Sequence, residues 1–160
     1  PITNVSELCY LLRRVSNEDQ SRINIVSDII EHHKKVIIFY TFNYERDMLL
    51  NMNYPNGTYI SEWTGHKHEM IPKSDRWIYL VQYSAGAEGW NCIETDTMIF
   101  FSQTYSYKAL VQAAGRIDRL NTSFKDLYYY HIRSKSPIDI GISKSLARKK
   151  NFNESKFLAC

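Results

Sequence analysis

The chain has 160 residues, 44% of them hydrophobic, and a formal net charge of +3. This length fits one domain with a substantial core, and the hydrophobic share excludes a disordered chain. The cysteines, Cys9, Cys92 and Cys160, are far apart and form no Cys-x-x-Cys pair, which argues against a disulfide framework or a zinc site and favours a reducing compartment. No apolar run approaches the about 18 residues of a membrane span. Because the chain begins without a methionine, we expect it to be part of a longer protein.

Apolar spacing predicts the elements of the first part of the chain. After a short amphipathic stretch over 1–12, the polar residues 13–20 are expected to form a loop. A helix-period stripe then runs to about His33, and the β-branched and aromatic run over 36–41 is typical of a strand buried on both faces. Helical register returns over 43–51, so the local plan is strand, turn, helix.

The rest of the chain continues this alternation. Four further strands and a last helix are predicted over 58–61, 77–82, 97–102, 126–132 and 137–150. Strands that alternate with helices predict an α/β fold with an open, mostly parallel sheet and helices on both faces. In such sheets ligands bind at the carboxyl ends of the strands. We therefore expect the functional groups in the loops that follow Tyr40, Gln82 and Ser102.

The segment from Val111 to Leu120 is interpreted as a helix with two chemically different faces. An apolar stripe that should face the core comprises Leu110, Ala113, Ala114 and Ile117. The opposite side carries Gln112, Arg116 and Arg119, so one amide and two guanidinium groups should point the same way. Guanidinium suits a phosphate because it stays charged and offers a planar fork of donors. An ordinary exposed polar helix face is the alternative interpretation.

Three other features are open to a functional and a plain interpretation. The glycine-rich loop over 83–91 could admit a ligand or a nucleic-acid backbone close to the main chain, or could be an ordinary turn. His66, His68 and Glu69 are possible metal ligands, but without a distant further ligand a solvated loop is favoured. Residues 131–160 hold seven Lys or Arg against two Asp or Glu, which suits nucleic acid and equally a solvated tail.

The string from Gln112 to Arg119 resembles motif VI, Gln-x-x-Gly-Arg-x-x-Arg, of superfamily-two helicases and translocases. In family order, residues 36–50 resemble motif IV and residues 82–91 resemble motif V, so the resemblance covers roughly 23–133. Within the superfamily the chain is most similar to Swi/Snf-like and restriction-enzyme-like translocases of phages. The resemblance implies a second, C-terminal RecA-like domain over 20–160, preceded by a lead-in segment over 1–19.

The resemblance also implies roles for individual residues. Arg119 would act as the arginine finger on the ATP γ-phosphate, with Arg116 beside it. The implied nucleotide-binding residues are Gln112, Gly115, Glu88, Gly89 and Asn91, the last near the ribose. The implied nucleic-acid-binding residues are Thr41, Asn43, Ser84 and Gly86. One departure is that motif V usually carries Ser-Thr where this chain has Gln82-Tyr83, which puts the usual hydroxyl contact in doubt.

Two motifs of such motors do not occur in the sequence. There is no Gly-x-x-x-x-Gly-Lys-Ser/Thr to cradle phosphates and no Asp-Glu-x-His to hold magnesium. We therefore expect ATP and Mg²⁺ to be bound mainly by an N-terminal RecA-like domain of the same protein, and this chain alone to be inactive. The expected partner is nucleic acid, with DNA as the expected substrate, although the sequence does not distinguish DNA from RNA. No membrane partner is expected, and the expected location is the cytoplasm of a bacterial cell, with a bacterial, phage or prophage gene.

Two other classes of function remain open on the sequence alone. One is a non-catalytic α/β module that binds nucleic acid through its basic C-terminal part. The other is a metal-dependent nuclease built around His66, His68 and Glu69.

Overall fold

The computed structural model describes residues 2–86 and 90–159, and its centre is a five-stranded sheet. The strands are β1 (Lys35–Tyr40), β2 (Tyr59–Trp63), β3 (Trp77–Gln82), β4 (Thr97–Phe100) and β5 (Tyr128–His131). Their order is β2-β3-β1-β4-β5, and each neighbouring pair within this described sheet is parallel. The three middle strands are apolar and almost wholly buried, as parallel strands covered on both faces should be. The predicted α/β fold with an open parallel sheet is confirmed.

Six helices of the described part surround this sheet. They are α1 (Val5–Asn17), α2 (Gln20–His32), α3 (Asn43–Asn51), α4 (Tyr107–Ala114), α5 (Pro137–Ala147) and α6 (Glu154–Leu158). The predicted helix over 43–51 is found with the same bounds, and those of α2 and α5 lie within three residues of the expected ones. The short helix α6 was not predicted.

One face of the sheet, here called the closed face, carries Val36, Ile38 and Tyr40 of β1. Helix α2 packs on it through Val26, Ile29 and Ile30, and α3 packs on it through Leu49. These side chains are at most 9% exposed. This is one of the two main clusters of the hydrophobic core, and it explains the apolar stripe of the sequence between 23 and 30.

The opposite face, here called the open face, carries Ile37 and Phe39 of β1 and Trp77 and Tyr79 of β3. Helix α4 and the turn after it cover the β1 and β4 side of this face. The next covering element is not a helix but the irregular segment 90–94, which lies over β1 and β3 and includes the buried Trp90 and Cys92. The helices therefore lie on both faces, as predicted, but they cover the two faces unequally.

The prediction of a loop over 13–20 is wrong, because α1 continues to Asn17. Its polar residues Arg13 and Asn17 are buried rather than solvated. Arg13 donates to the carbonyl oxygen of Gln103, 90 residues away, a partner that local polarity cannot reveal. Helix α1 also packs against α5 and α6 around Cys9. The division into a lead-in over 1–19 and a domain over 20–160 remains a prediction.

A buried ion pair joins the N-terminal and the C-terminal part of the described chain. Arg22 of α2 donates to the carboxylate of Asp139 in α5 at 2.7 Å, and both residues are at most 3% exposed. The same guanidinium donates to the carbonyl oxygens of Phe101 and Ile132, at the carboxyl ends of β4 and β5. The basic C-terminal part is therefore anchored by α5 in the folded domain and does not begin as a solvated tail.

Candidate functional site

Helix α4 ends earlier than the sequence suggests. It ends at Ala114 with Gly115 as its C-cap, and the amide of Arg116 donates to Ala113 in a tighter turn. The prediction that Gln112, Arg116 and Arg119 share one helix face is therefore wrong. Gly115 disfavours continuation of the helix by about 1 kcal/mol relative to alanine. The residues that follow it pack against the sheet from a turn instead of a helix.

The apolar stripe of the same segment is confirmed. Ala113 and Ile117 are 3% and 0% exposed, and the partly buried Leu110 and Ala114 pack against the same core cluster on the open face. Ile117 reaches this core from the turn beyond the helix. The chain thus keeps its apolar side inward across the break.

Arg116 ties the turn after α4 to the glycine-rich loop. Its Nη1 donates to the carbonyl oxygen of Trp90 and its Nη2 to that of Gly86, both at 2.7 Å. Its guanidinium carbon also lies 5.4 Å from the centroid of the Trp90 ring, a cation–π distance. The backbone of Cys92 donates in return to the carbonyl of Arg116 at 3.0 Å. Arg116 therefore holds both sides of the loop in place.

The other predicted nucleotide-binding residues lie around this tie. Arg119 and Gln112 are exposed, whereas Gly115 is half-buried. Asn91 is exposed between the buried residues Trp90 and Cys92. Glu88 and Gly89 lie outside the described residues. Asn91 thus lies between two residues that hydrogen-bond to Arg116, and the side chain of Arg119 is at the surface.

In the segment 90–94 Trp90 and Cys92 are buried, whereas Asn91, Ile93 and Glu94 are exposed. The thiol of Cys92 is 1% exposed and lies 3.1 Å from the Glu94 carboxylate, to which it donates. Burial, followed by this hydrogen bond, raises the pKa of the Cys92 thiol to about 12. A neutral, buried thiol at this position is a packing group and not a nucleophile. Ligand contacts of this segment would therefore be made by its polar neighbours.

The predicted nucleic-acid-binding residues lie at the carboxyl edge of the sheet. Gln82 donates to the carbonyl of Thr41 at 3.1 Å, and the hydroxyls of Thr41 and Ser102 lie 3.1 Å apart. The loops after β1, β3 and β4 therefore meet, as expected. Asn43 and Ser84 are exposed at this edge, and Thr41 is half-buried.

Two positions of the glycine-rich loop serve packing. A Cβ on Gly86 would lie 3.0 Å from the Phe39 ring and 3.1 Å from Val81, so the close approach requires glycine here. Tyr83 is buried and donates to the carbonyl of Ser102 at 3.0 Å. Burial raises its pKa well above the usual value. The Tyr83 hydroxyl is therefore engaged in a hydrogen bond inside the domain.

Sequence reasoning missed a cavity of about 360 Å³ at the same edge. The buried Arg13 of α1 contributes to its lining, and its guanidinium carbon lies 5.2 Å from the Phe42 ring and 5.0 Å from the Tyr105 ring. These three residues are far apart in the sequence and form no local motif.

Sequence reasoning also missed a second cavity, of about 490 Å³, on the open face. Its lining includes Trp63, Trp77, Trp90, Ile71, Asn91 and Glu94. It lies on the side of the segment 90–94 where no helix of the described chain covers the sheet.

The possible metal ligands make protein contacts. His68 stacks on Trp63 with ring centroids 4.4 Å apart, and Glu69 accepts a hydrogen bond from the amide of Glu62 at 2.9 Å. Within 2–86 and 90–159, no group of three or more histidine, cysteine or acidic side chains is arranged to hold a metal ion.

In the part of the chain that the structure describes, no helix is long and apolar enough to cross a membrane. No protein-family model matches the sequence, and no curated protein matches it significantly.

Among solved structures, the fold matches the crystal structure of the C-terminal part of the Fun30 ATPase domain, with a TM-score of 0.66 and 18% sequence identity. The match covers 86% of this chain and 50% of the other, so the chain spans about half the length of that structure. At this identity the likeness concerns the fold, which is that of a RecA-like domain.

Proposed function

We propose that the chain is the C-terminal half of an ATP-dependent helicase or translocase that acts on nucleic acid, with DNA as the expected substrate. The observation that carries the proposal is the double hydrogen bond of Arg116. It joins the motif VI-like string to the carbonyls of Gly86 and Trp90 in the motif V-like string. Two strings that resemble successive motifs of one family thus form a single spatial unit.

Within this unit the two arginines have different roles. Arg116 is a positioning residue, because both of its terminal nitrogens donate to backbone carbonyls. Arg119 is exposed one turn further on, so its guanidinium is the group available to the γ-phosphate of ATP. An N-terminal RecA-like domain of the same protein would hold most of the nucleotide and its Mg²⁺. Closure of the two domains would then bring the positive charge of Arg119 to the transition state.

Nucleic acid is assigned to the carboxyl edge of the sheet. The exposed Asn43 and Ser84 and the half-buried Thr41 offer hydroxyl and amide groups where three loops meet. Such groups, with backbone amides, bind phosphates without regard to base sequence. Cyclic closure on ATP and opening after hydrolysis would let the two domains step along a strand.

The test compares Arg119→Ala, Arg119→Lys and Arg148→Ala in the full-length protein by DNA-stimulated ATPase activity. Arg148 is an exposed arginine at the end of α5 and serves as the matched control. An arginine finger accelerates phosphoryl transfer by about 10³ to 10⁵, so Arg119→Ala should lower the rate at least about 100-fold. Lysine keeps the charge without the planar fork and should restore only part of it.

The same assay separates the alternatives. Near-normal turnover by Arg119→Ala would contradict the assignment of the finger. A wild-type protein that binds DNA but shows no DNA-stimulated ATPase would favour the non-catalytic binding module. The isolated chain, which has no phosphate-binding loop in its sequence, is expected to hydrolyse no ATP.

A further inference from the structure

The cavity of about 360 Å³ at the carboxyl edge, here called the edge cavity, is lined by parts of the chain that are far apart in sequence. Its aromatic wall consists of Phe42 at the start of α3, Tyr83 after β3 and Tyr105 before α4. Arg13 of α1 also contributes to the lining. Cavities of about 300 to 1,000 Å³ hold small molecules, and an aromatic wall suits a flat group with a π face.

Arg13 brings a buried positive charge to this wall. It is 1% exposed, its Nη2 donates to the carbonyl of Gln103, and its Nε has no hydrogen-bond partner in the part of the chain that the structure describes. The ion pairs of the described residues do not include Arg13. Burial raises the pKa of the neighbouring Glu45 carboxyl, which weakens that group as a counter-charge. A buried charged group with a missing partner is costly, so a ligand that accepts a hydrogen bond here would be stabilised.

Two rings of the edge cavity lie against this guanidinium. Its carbon is 5.2 Å from the centroid of Phe42 and 5.0 Å from that of Tyr105. Both aromatic residues are half-buried, so neither ring is wholly covered by the domain. Aromatic side chains combined with arginine are the groups on which unpaired bases stack in proteins that bind single strands.

The edge cavity adjoins the proposed contacts of the nucleic-acid backbone. Thr41 and Ser84 contribute to its lining, and Thr104 and Ser106 add two more hydroxyl groups. A strand whose phosphates lie on Thr41 and Ser84 would therefore pass directly over the edge cavity. In a duplex the bases are paired and stacked inside the double helix, so only an unpaired base can turn from such a backbone into the protein.

We infer that the edge cavity takes one unpaired base of a single-stranded nucleic acid, an inference that rests on the proposed function and names the form of its substrate. The base would stack on the aromatic wall and accept a hydrogen bond from Arg13, while its backbone stays at Thr41 and Ser84. Because every base has a π face, such a contact tolerates any sequence. The domain should therefore prefer a single strand to a duplex.

The experiment measures binding of the 160-residue chain to an end-labelled thymidine oligonucleotide by fluorescence anisotropy. It is compared with an abasic strand of the same length, which keeps the phosphates, and with a blunt duplex of that length. We expect the abasic strand and the duplex to bind at least about tenfold more weakly than the thymidine strand.

Three results would overturn the inference. Equal affinity for the thymidine and abasic strands would mean that the chain contacts phosphates only. A duplex that binds as tightly as the thymidine strand, or more tightly, would mean that no unpaired base is required. Absence of binding to all three would mean that the edge cavity serves another ligand.

Two variants test the edge cavity itself. Ala109→Leu places a larger side chain in the cavity from α4, and Phe42→Leu removes a ring but keeps an apolar group. In each variant, affinity for the thymidine strand should fall to that for the abasic strand, which should not change. Tyr59→Leu, at an exposed position where β2 begins, is the matched control and should bind as the wild type does.

Thermal melting establishes that each variant is folded, and if one is not, the other decides. Wild-type affinity for the thymidine strand in a folded Ala109→Leu or Phe42→Leu protein contradicts the inference.

One further comparison separates this inference from the proposed function, because strand binding by the chain needs neither ATP nor a second domain. If the thymidine strand is preferred but the full-length protein shows no DNA-stimulated ATPase, the cavity assignment stands and the motor assignment falls. If the full-length protein is stimulated by DNA but thymidine and abasic strands bind alike, the opposite holds.

Discussion

The two faces of the sheet are built differently, and Arg116, whose turn carries the proposed arginine finger, packs on only one of them. On the closed face, α2 and α3 cover the strands with aliphatic side chains such as Val26, Ile30 and Leu49. On the open face, α4 covers one side, and beyond it lies an irregular segment held by Arg116. Both faces bury apolar side chains, but the open face also has an irregular covering segment with a cavity of about 490 Å³ beside it.

The open face depends on polar contacts to the main chain. Helices α2 and α3 satisfy their own backbone groups and need only apolar packing. The segment 90–94 is irregular, so its carbonyls and amides need outside partners. Arg116 supplies a donor to Trp90 and an acceptor to Cys92. A single residue beyond α4 thus contributes to the shape of the candidate nucleotide site.

The largest expected effect tests whether the open face has a true core of its own. Ile117→Asp places a carboxylate at a position that is 0% exposed and should destabilise the domain by more than about 4 kcal/mol. Val111→Asp, at a position of α4 that is 50% exposed, should change stability by less than about 1 kcal/mol. Chemical denaturation measures both, and equal losses would mean that α4 does not pack by the stripe described above.

A smaller effect distinguishes the two arginines. Arg116→Ala removes two charge-assisted hydrogen bonds to carbonyls and should destabilise the domain by about 2 kcal/mol. Arg119→Ala, on the surface, should stay within about 0.5 kcal/mol of the wild type.

Thiol alkylation adds a local measurement of the same variants. Arg116→Ala should speed alkylation of Cys92 and leave that of Cys9, buried on α1, unchanged, because the loss concerns the segment 90–94. Peptide mapping reports each thiol separately. Unchanged protection of Cys92 would show that Arg116 does not hold the segment.

The smallest effect concerns the rim of the closed face and depends on pH. Glu62 of β2 accepts from Arg46 of α3 at 3.0 Å and from Lys67 at 3.2 Å, and the Arg46 hydrogen bond holds its pKa below the usual value. Stability from this contact is present above the unfolded pKa of about 4.3 and is lost as pH falls through the lower folded pKa.

Glu62→Gln should therefore cost about 1 kcal/mol at neutral pH and make stability less sensitive to acid below pH about 4.3. Glu31→Gln, an exposed position on α2, is the control and should keep the wild-type pH profile. Denaturant unfolding across acid pH measures both variants. Parallel profiles for Glu62→Gln and the wild type would contradict a role for this ion pair.

The strands and the sheet were predictable because their signals are local. Continuous apolar runs predicted β1 and β3 within one residue, and the alternation with helices predicted parallel pairing. Parallel pairing in turn predicted that the loops after β1, β3 and β4 meet at one edge. The contacts of Thr41 with Ser102 and of Tyr83 with Ser102 confirm it. The residue roles implied by the family resemblance remain predictions.

The features that sequence reasoning missed depend on partners distant in the chain. The end of α4 depends on two contacts of the turn that follows it. Ile117 is buried in the core, and Arg116 donates to the carbonyls of Trp90 and Gly86, 26 and 30 residues away. The burial of Arg13 depends on Gln103, 90 residues away. The cavity on the open face combines β2, β3 and an irregular segment. A periodicity of three or four residues carries no information about such contacts.

The Arg22–Asp139 pair has a consequence for how the domain can be shortened or recombined. Arg22 lies near the start of the chain, yet its guanidinium is neutralised from α5, near the other end. A chain cut after β5 would leave this charge buried without its carboxylate, which is strongly destabilising. Grafts that exchange the C-terminal helices between related domains must therefore carry Asp139, or replace Arg22 together with it, if the sheet is to keep its shape.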